Sequence, residues 1–213
     1  MKKNYIYQEI KNKIITGKLV QGRSINEKEL SEFYKVSRTP IREALNILEM
    51  EEWIKSVPRK GFVVSDMTFS NIKDLFQIRY ELEPLFLKMA YNFFEKEELL
   101  EFKNRTLSLM KKEDCEALRI LDDEFHNYLI ESTYNNFAIK TMESINEHVR
   151  RTRYLTFEDK RETLESAEDH LNIIESLLEK NLEKADKYLR NHIDKSQLYF
   201  LRNFRFKGID VSK

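Results

Sequence analysis

The 213-residue sequence has very little glycine, proline or cysteine, and no long apolar run. Sandwiches and barrels need many tight turns, so 4 glycines and 3 prolines favour long helices joined by few turns. The single cysteine, Cys115, excludes an intramolecular disulfide and a zinc site built from several cysteines. No apolar stretch has the length of about 18 residues that a membrane span needs, and the basic N-terminus lacks the apolar core of a secretory signal. We therefore expect a cytoplasmic protein with no membrane partner.

The net charge of zero conceals an uneven distribution along the chain. Residues 1–66 carry 13 Lys and Arg against 9 Asp and Glu, whereas residues 67–213 carry 24 against 28. Most of the glycine and proline also falls in residues 1–66. We interpret residues 1–66 as a small domain of short secondary-structure elements that binds an anionic partner, and residues 67–213 as a domain of long helices.

The apolar periodicity of residues 1–66 predicts three helices followed by a β-hairpin. The helices run roughly over 5–16, 27–34 and 39–51, with Leu30 and Phe33 expected to be buried in the second. Extended runs at 53–57 and 61–64 flank a tight basic turn. Three helices and a hairpin in this order are typical of a winged helix-turn-helix.

The third predicted helix presents Arg38 and Arg42 on its exposed stripe, beside the hydroxyls of Ser37 and Thr39 at its start. Arginine suits guanine edges and phosphates, and a hydroxyl beside the free N–H groups of a first helical turn suits a phosphate oxygen. The turn Arg59-Lys60-Gly61 is placed to reach an adjacent groove. On these residues alone, a solvated helix face stays open as the alternative.

Residues from 70 onward read as six helices, roughly 70–94, 96–111, 114–132, 136–156, 161–180 and 182–204, which predicts an all-helical antiparallel bundle. The stripe expected to face inward on the first of these helices contains one charged residue. That stripe consists of Ile72, Leu75, Phe76, Arg79, Leu82, Phe86, Met89 and Phe93.

Asp122 and His126 are four residues apart on one predicted helix, so both side chains leave the same face. His170 and His192 lie on the two last helices, and antiparallel packing could bring all four together. One carboxylate and three imidazoles suit a divalent transition metal such as zinc, nickel or manganese. The alternatives are a surface Asp–His pair and ordinary core histidines.

Residues 4–66 resemble the DNA-binding domain of the GntR family of bacterial transcription regulators, above all in the run Val36-Ser37-Arg38-Thr39-Pro40-Ile41-Arg42-Glu43-Ala44-Leu45. The resemblance implies that Arg38 and Arg42 contact bases or phosphates and that Ser37, Thr39 and Lys28 contact phosphates. It also implies that Gly61 sits at the tip of the wing, between Arg59-Lys60 and the second strand. Lys35 and Glu52 stand where the family usually has glycine.

Residues 70–205 are similar to the FCD effector-binding domain of the FadR branch, in its shorter VanR-like group. The similarity rests on Arg79…Glu83, on Asp122-x-x-Phe125-His126, and on His170 and His192. It implies that Asp122, His126, His170 and His192 hold the metal, and that the metal holds a small carboxylate effector, an organic acid. Arg79 is then a partner for the effector carboxylate, or else half of a structural ion pair with Glu83.

Together these features predict a ligand-responsive transcription repressor that binds a pseudo-palindromic operator in double-stranded DNA as a homodimer, and no enzyme. Two alternatives stay open: a metal-dependent hydrolase with a DNA-binding tail, and a regulator whose metal is purely structural. Arg150, Arg151 and Arg153 are further candidates for the effector carboxylate, but we interpret them rather as a solvated face, and His148 is given no role.

Overall fold

The computed structural model describes residues 2–156 and 159–203, and within those ranges the chain forms nine α-helices and one small sheet. The elements are α1 (Lys2–Ile15), β1 (Ser24–Ile25), α2 (Glu27–Tyr34), α3 (Arg38–Met50), β2 (Ile54–Val57), β3 (Gly61–Val64), α4 (Phe69–Ala90), α5 (Lys96–Lys112), α6 (Cys115–Glu131), α7 (Asn136–Leu155), α8 (Lys160–Leu178) and α9 (Leu182–Asn203). Two compact units emerge, one of residues 2–68 with 150–156 and one of residues 69–149 with 159–203. None of the helices described combines the length and apolarity needed to cross a membrane.

The first unit packs α1, α2 and α3 beside an antiparallel sheet in the order β1-β3-β2. In the hairpin, Ile54 pairs with Val64 and Val57 with Gly61, which leaves residues 58–60 as its turn. Completely buried residues such as Ile10, Leu45 and Trp53 form the core. The predicted winged helix-turn-helix is thus confirmed, with one addition. The two-residue strand β1 was not predicted, because two residues are too few to show an alternating pattern.

Phe33 was expected in the core of this unit, and that prediction is wrong. The Phe33 side chain is 67% exposed, and α2 contributes no fully buried residue. Leu30 and Tyr34 are the partly buried residues of α2 that pack on the core. Phe33 instead meets the ring of Tyr34 edge-on, beneath the ammonium group of Lys13, whose Nζ lies 4.6 Å from the ring centre.

The turn between α2 and α3 depends on Lys35, which ends α2 in the left-handed conformation with φ 52°. In this geometry the backbone N–H groups of Lys35 and Val36 reach the carbonyls of Glu32 and Ser31. Glu52, after α3, has φ 62°. Both residues stand where the sequence comparison expected glycine, which adopts this conformation without steric cost.

We expect Lys35→Gly to stabilise the first unit by about 0.5–1 kcal/mol. The left-handed conformation costs a residue with a Cβ about 1–2 kcal/mol, and the greater freedom of glycine in the unfolded chain cancels part of the gain. Urea unfolding of the full chain measures the difference. Glu32→Gly, inside α2, is the control and should destabilise by about 1 kcal/mol. Equal effects of the two substitutions would contradict the prediction.

The second unit is an all-helical bundle in which α9 packs against both α4 and α8, and α6 packs against α4, α5 and α8. The six predicted helices are confirmed. Two residues of the predicted inward stripe are exposed, however, Met89 by 40% and Phe93 by 52%. Phe93 lies beyond the end of α4 at Ala90, in a short 3-10 turn. Met89 lies within α4, on the same exposed side as Leu85 and Ile78.

Pro84 lies inside α4 and leaves one backbone carbonyl without its helical partner. Proline has no N–H, so the carbonyl of Tyr80, four residues earlier, receives no helical hydrogen bond from it. Arg190 of α9 supplies the missing donor, with its Nη1 2.9 Å from the Tyr80 oxygen. Its guanidinium also lies 4.8 Å from the centre of the Tyr80 ring. The proline therefore creates a polar link between α4 and α9.

Candidate DNA interface and candidate metal centre

The start of α3 combines an exposed polar surface with an anchored apolar one. Ile41, Ala44, Leu45 and Leu48 are buried, and they hold α3 against the core. The opposite face leaves Arg38, Thr39 and Arg42 exposed. Ser37 is the N-cap residue, but its hydroxyl makes no capping hydrogen bond. The N–H groups of the first turn are therefore free of a side-chain cap, which is what a phosphate oxygen requires.

Lys28 stands in the first turn of α2, beside the residue that caps this helix. The side-chain oxygen of Asn26 accepts hydrogen bonds from the backbone N–H groups of Lys28 and Glu29, at 2.9 and 3.3 Å. Asn26 is thus the N-cap of α2, and its side-chain amide also donates to the Glu29 carboxylate. The Lys28 side chain is 70% exposed, and its Nζ lies 3.9 Å from Glu32, a weak surface pair. Its ammonium group is accessible to a phosphate.

The hairpin turn carries Arg59, Lys60 and Gly61, all exposed. Arg59 and Gly61 both have positive φ, 66° and 72°. Apart from the adjoining residues, no described atom lies within 4 Å of the position that a Cβ on Gly61 would take. All eight residues predicted to contact DNA are accordingly on the surface of the first unit, on the starts of α2 and α3 and on the hairpin.

The second unit brings the four predicted metal ligands together. Asp122 and His126 come from α6, His170 from α8 and His192 from α9, and one ligand atom from each lies within 4.8 Å of all the others. Nε2 of His192 is 3.2 Å from Nε2 of His126 and 3.4 Å from Nε2 of His170. Nε2 of His170 is 3.5 Å from Oδ1 of Asp122. As whole residues, all four are at least nine-tenths buried.

The three pair distances of 3.2, 3.4 and 3.5 Å fit a tetrahedral metal ion. A zinc ion with bonds of about 2.1 Å holds its ligand atoms about 3.4 Å apart. Burial and the neighbouring His170 and His126 rings lower the pKa of His192 well below its ordinary value. The ring is therefore neutral near pH 7, and a nitrogen lone pair is available to a metal. Within the described residues this is the one cluster of its kind, and His148, half-buried on α7, lies outside it.

Behind the cluster lies a buried pair, Arg79 and Glu83 of α4, which are 3% and 1% exposed. Nε of Arg79 donates to Oε1 of Glu83 at 2.5 Å, and Nη2 of Arg79 is 3.5 Å from Nε2 of His126. Burial would raise the pKa of Glu83, but the Arg79 guanidinium and the contact to His126 outweigh it and lower that pKa to about 2. Arg79 thus takes part in an ion pair at the edge of the cluster.

Three residues beside the cluster were not predicted as part of it: Glu83, Ser166 and Asp169. Oε2 of Glu83 is 2.9 Å from Nδ1 of His126, and the hydroxyl of Ser166 donates to Oδ1 of Asp122 at 3.2 Å. Oδ2 of Asp169 is 3.9 Å from Nδ1 of His192. The spacing of Glu83, four residues after the inward-facing Arg79, was the available signal.

Arg151 was interpreted as part of a solvated face, and the structure corrects this. The residue is 2% exposed and belongs to the first unit. Its Nη2 donates to the carbonyl of Ser65, and its guanidinium lies 5.8 Å from the centre of the Trp53 ring. Burial lowers the pKa of Arg151 to about 10. Arg150 and Arg153 are half-buried.

Two family models match the chain. The model described as bacterial regulatory proteins of the gntR family matches residues 2–64, and the FCD domain model matches residues 74–195. The chain belongs to the GntR family of bacterial regulators. It is a DNA-binding transcriptional regulator with an FCD effector domain, and the hydrolase alternative is set aside because its relatives are regulators.

Individual relatives agree with this membership. The Nta operon transcriptional regulator of Aminobacter aminovorans is 31% identical, over 82% of each chain. The HTH-type transcriptional repressor RspR of Escherichia coli (strain K12) is 22% identical, over 88% of this chain and 84% of its own. A solved structure of a GntR regulator from Rhodococcus sp. RHA1 has the same fold, with a TM-score of 0.79 and 20% identity over 95% of this chain and 99% of its own.

Proposed function

We propose that this GntR-family regulator is a cytoplasmic repressor that binds a pseudo-palindromic operator as a homodimer and responds to a small organic acid. Residues 1–66 would bind the DNA, and residues 67–213 would bind a divalent metal and the acid. The observation that carries this proposal is the buried cluster of Asp122, His126, His170 and His192 in an effector domain. The repressor role is supported by the relative RspR, which is named a repressor.

In the proposed DNA complex, the exposed start of α3 enters the major groove. Arg38 and Arg42 contact guanine edges or phosphates, because the guanidinium fork matches both. Ser37, Thr39 and Lys28 contact phosphates, which positions the helix without reading sequence. Arg59, Lys60 and Gly61 follow the adjacent minor groove, where the open space at Gly61 allows a close backbone approach.

The charge of the metal site supports an anionic effector. Asp122 and Glu83 are negative and Arg79 is positive, so with neutral imidazoles the site carries one net negative charge. A bound zinc, nickel or manganese ion reverses this sign, and Lewis acidity is the chemistry that it supplies. A carboxylate bound as a fifth ligand, in addition to the four protein ligands, restores neutrality. Arg79, 3.5 Å from the metal-facing nitrogen of His126, is placed to donate to that carboxylate while it holds Glu83.

The ligand would act by shifting a population of conformers, because it binds a site made by α6, α8 and α9. Only a ligand that binds one arrangement of these helices more tightly can change the spacing of the two DNA-binding domains. An acid that merely occupied the metal without this preference would leave operator affinity unchanged.

The proposed homodimer has a candidate contact surface on α4. Ile78, Leu85 and Met89 are 40–50% exposed, at the i, i+7 and i+11 positions that form one stripe of a helix. Phe93 and Phe137, which are 52% and 85% exposed, are further apolar residues of the same unit. A second copy is the occupant we propose, because reading two half-sites requires two DNA-binding domains.

Leu85→Glu is therefore expected to weaken the dimer roughly 30-fold, the effect of about 2 kcal/mol at a central interface residue. Sedimentation velocity over a concentration series measures the dissociation constant of the dimer. Ile120→Glu on α6 is the matched control, since Ile120 is 52% exposed and lies off this stripe. A dimer that survives the first substitution as well as the second would place the interface elsewhere.

Native mass spectrometry of the full chain, purified without chelator, tests the proposal. We expect a dimer with one divalent metal per chain. If the protein carried no metal and bound neither added zinc nor added nickel, the proposed metal site would be wrong. The proposed DNA-binding role would not be affected. Thermal melting then separates a sensing from a structural metal: an organic acid should raise the melting temperature beyond the metal-bound value only if the metal holds an effector.

A further inference from the structure

The buried carboxylate of Glu83 faces the side of His126 that points away from the ligand cluster. Nε2 of His126 is directed at His192, at 3.2 Å, whereas Nδ1 is 2.9 Å from Oε2 of Glu83. Both residues are at least nineteen-twentieths buried. The alignment of Nδ1 and Oε2 falls short of an ideal hydrogen bond, yet neither atom has another hydrogen-bond partner in the described part of the chain.

This arrangement determines which nitrogen of His126 is available to a metal. A neutral imidazole carries one proton, and the nitrogen without it is the one that can coordinate. A carboxylate beside Nδ1 holds the proton there and leaves the Nε2 lone pair directed at His192, with Nη2 of Arg79 3.5 Å away. Such carboxylate–histidine contacts fix the ring orientation and increase the basicity of the ligating nitrogen.

We propose that Glu83 is a positioning residue of the metal site, which holds His126 in the Nδ1–H tautomer, and that Asp169 does the same for His192 with a smaller effect. This rests on the proposed metal site. Arg79 fixes the Glu83 carboxylate through its 2.5 Å contact to the other oxygen. Lys195 fixes Asp169 in the same way, with Nζ 2.7 and 3.0 Å from its two oxygens.

The two carboxylates differ in distance, and this predicts a rank order. Oδ2 of Asp169 is 3.9 Å from Nδ1 of His192, too far for a direct hydrogen bond, whereas the Glu83 contact is 2.9 Å. Nδ1 of His192 is nevertheless buried without another partner. Asp169 should therefore orient its histidine more weakly than Glu83 does.

Zinc titration of the full chain against a competing chelator tests the proposal. Glu83→Gln is expected to weaken zinc binding 10- to 100-fold, the range for loss of such a partner, and Asp169→Asn less. Glu81→Gln, on the same helix but exposed, is the matched control and should leave the affinity unchanged. If the wild type bound zinc and Glu83→Gln bound it with the same affinity, this inference would be overturned and the proposed metal site would stand. A wild type that binds no zinc would overturn both.

Glu83→Gln removes the charged partner of the buried Arg79, and the variant could misfold for that reason. A second measurement therefore uses the unmodified chain. Nitrogen-15 NMR of the metal-free protein reports the histidine tautomers, and the His126 signal is assigned by its loss in His126→Gln. The Nδ1–H form is expected. The Nε2–H form would overturn the proposal, whatever the variants do.

Discussion

Arg42→Ala is expected to reduce operator affinity roughly 30-fold to 20,000-fold. A bidentate arginine–guanine contact is worth about 1–3 kcal/mol, and a two-fold symmetric dimer makes it twice. The Arg42 side chain is exposed on the face of α3 opposite the buried Ile41 and Leu45, so its removal should not disturb the core. Fluorescence anisotropy on an operator selected from genomic fragments at fixed salt measures the change.

Two further substitutions make this result specific. Arg161→Ala removes an arginine side chain that is 86% exposed on α8 and should leave DNA affinity unchanged. Lys28→Ala should weaken operator and random DNA equally and reduce the dependence of affinity on salt, because a phosphate contact is independent of sequence. Arg151 is unsuitable as a control because it is buried against Trp53. An equal loss with Arg161→Ala would contradict the proposed interface.

The second large effect is expected at the metal cluster, where His170→Ala should weaken zinc binding roughly 100-fold or more. Structural zinc sites bind with about 10–16 kcal/mol, so each of four ligands accounts for about 2.5–4 kcal/mol. At a zinc concentration 1,000 times the wild-type dissociation constant, zinc stabilises the folded wild type by about 4 kcal/mol. A 100-fold weaker variant retains only about 1.4 kcal/mol of this stabilisation. Chelator competition and melting curves with and without zinc measure the two quantities.

His148→Ala is the matched control for this prediction. His148 lies on α7 of the same unit and outside the cluster, so its loss should leave zinc affinity as it was. If both substitutions reduced zinc binding equally, the cluster would not be the metal site. If neither did, Asp122 and its three histidines would be ordinary buried residues.

Local periodicity predicted most of the fold, because its signals lie within a few residues of one another. The helix boundaries differ by a few residues, and the inward position of Arg79 follows from its place in an apolar stripe. The same rule failed for Phe33, because a short helix has room for few core contacts. Phe93 failed because the helix ends at Ala90, and Met89 failed because it lies on the exposed stripe of α4 with Ile78 and Leu85.

The candidate metal site depended on more than periodicity. The spacing of Asp122 and His126 shows that they share a helix face, but only the packing of α8 and α9 against α6 brings His170 and His192 beside them. The family resemblance indicated all four residues before that packing was known. Glu83 was missed as part of the site because a carboxylate four residues from an arginine is explained by the ion pair alone. Arg151 was misread because its burial depends on Trp53, which is distant in sequence.

The Tyr80 carbonyl also has a consequence for the order in which the chain assembles during synthesis. Its donor, Arg190, follows 110 residues later, on α9, the last helix that the structure describes. While α4 emerges, Pro84 leaves this carbonyl to water, and it gains its protein partner only when α9 arrives. The same helix supplies His192, two residues after Arg190. An incomplete chain that ends before α9 therefore lacks both the donor to the Tyr80 carbonyl and the fourth residue of the candidate metal site.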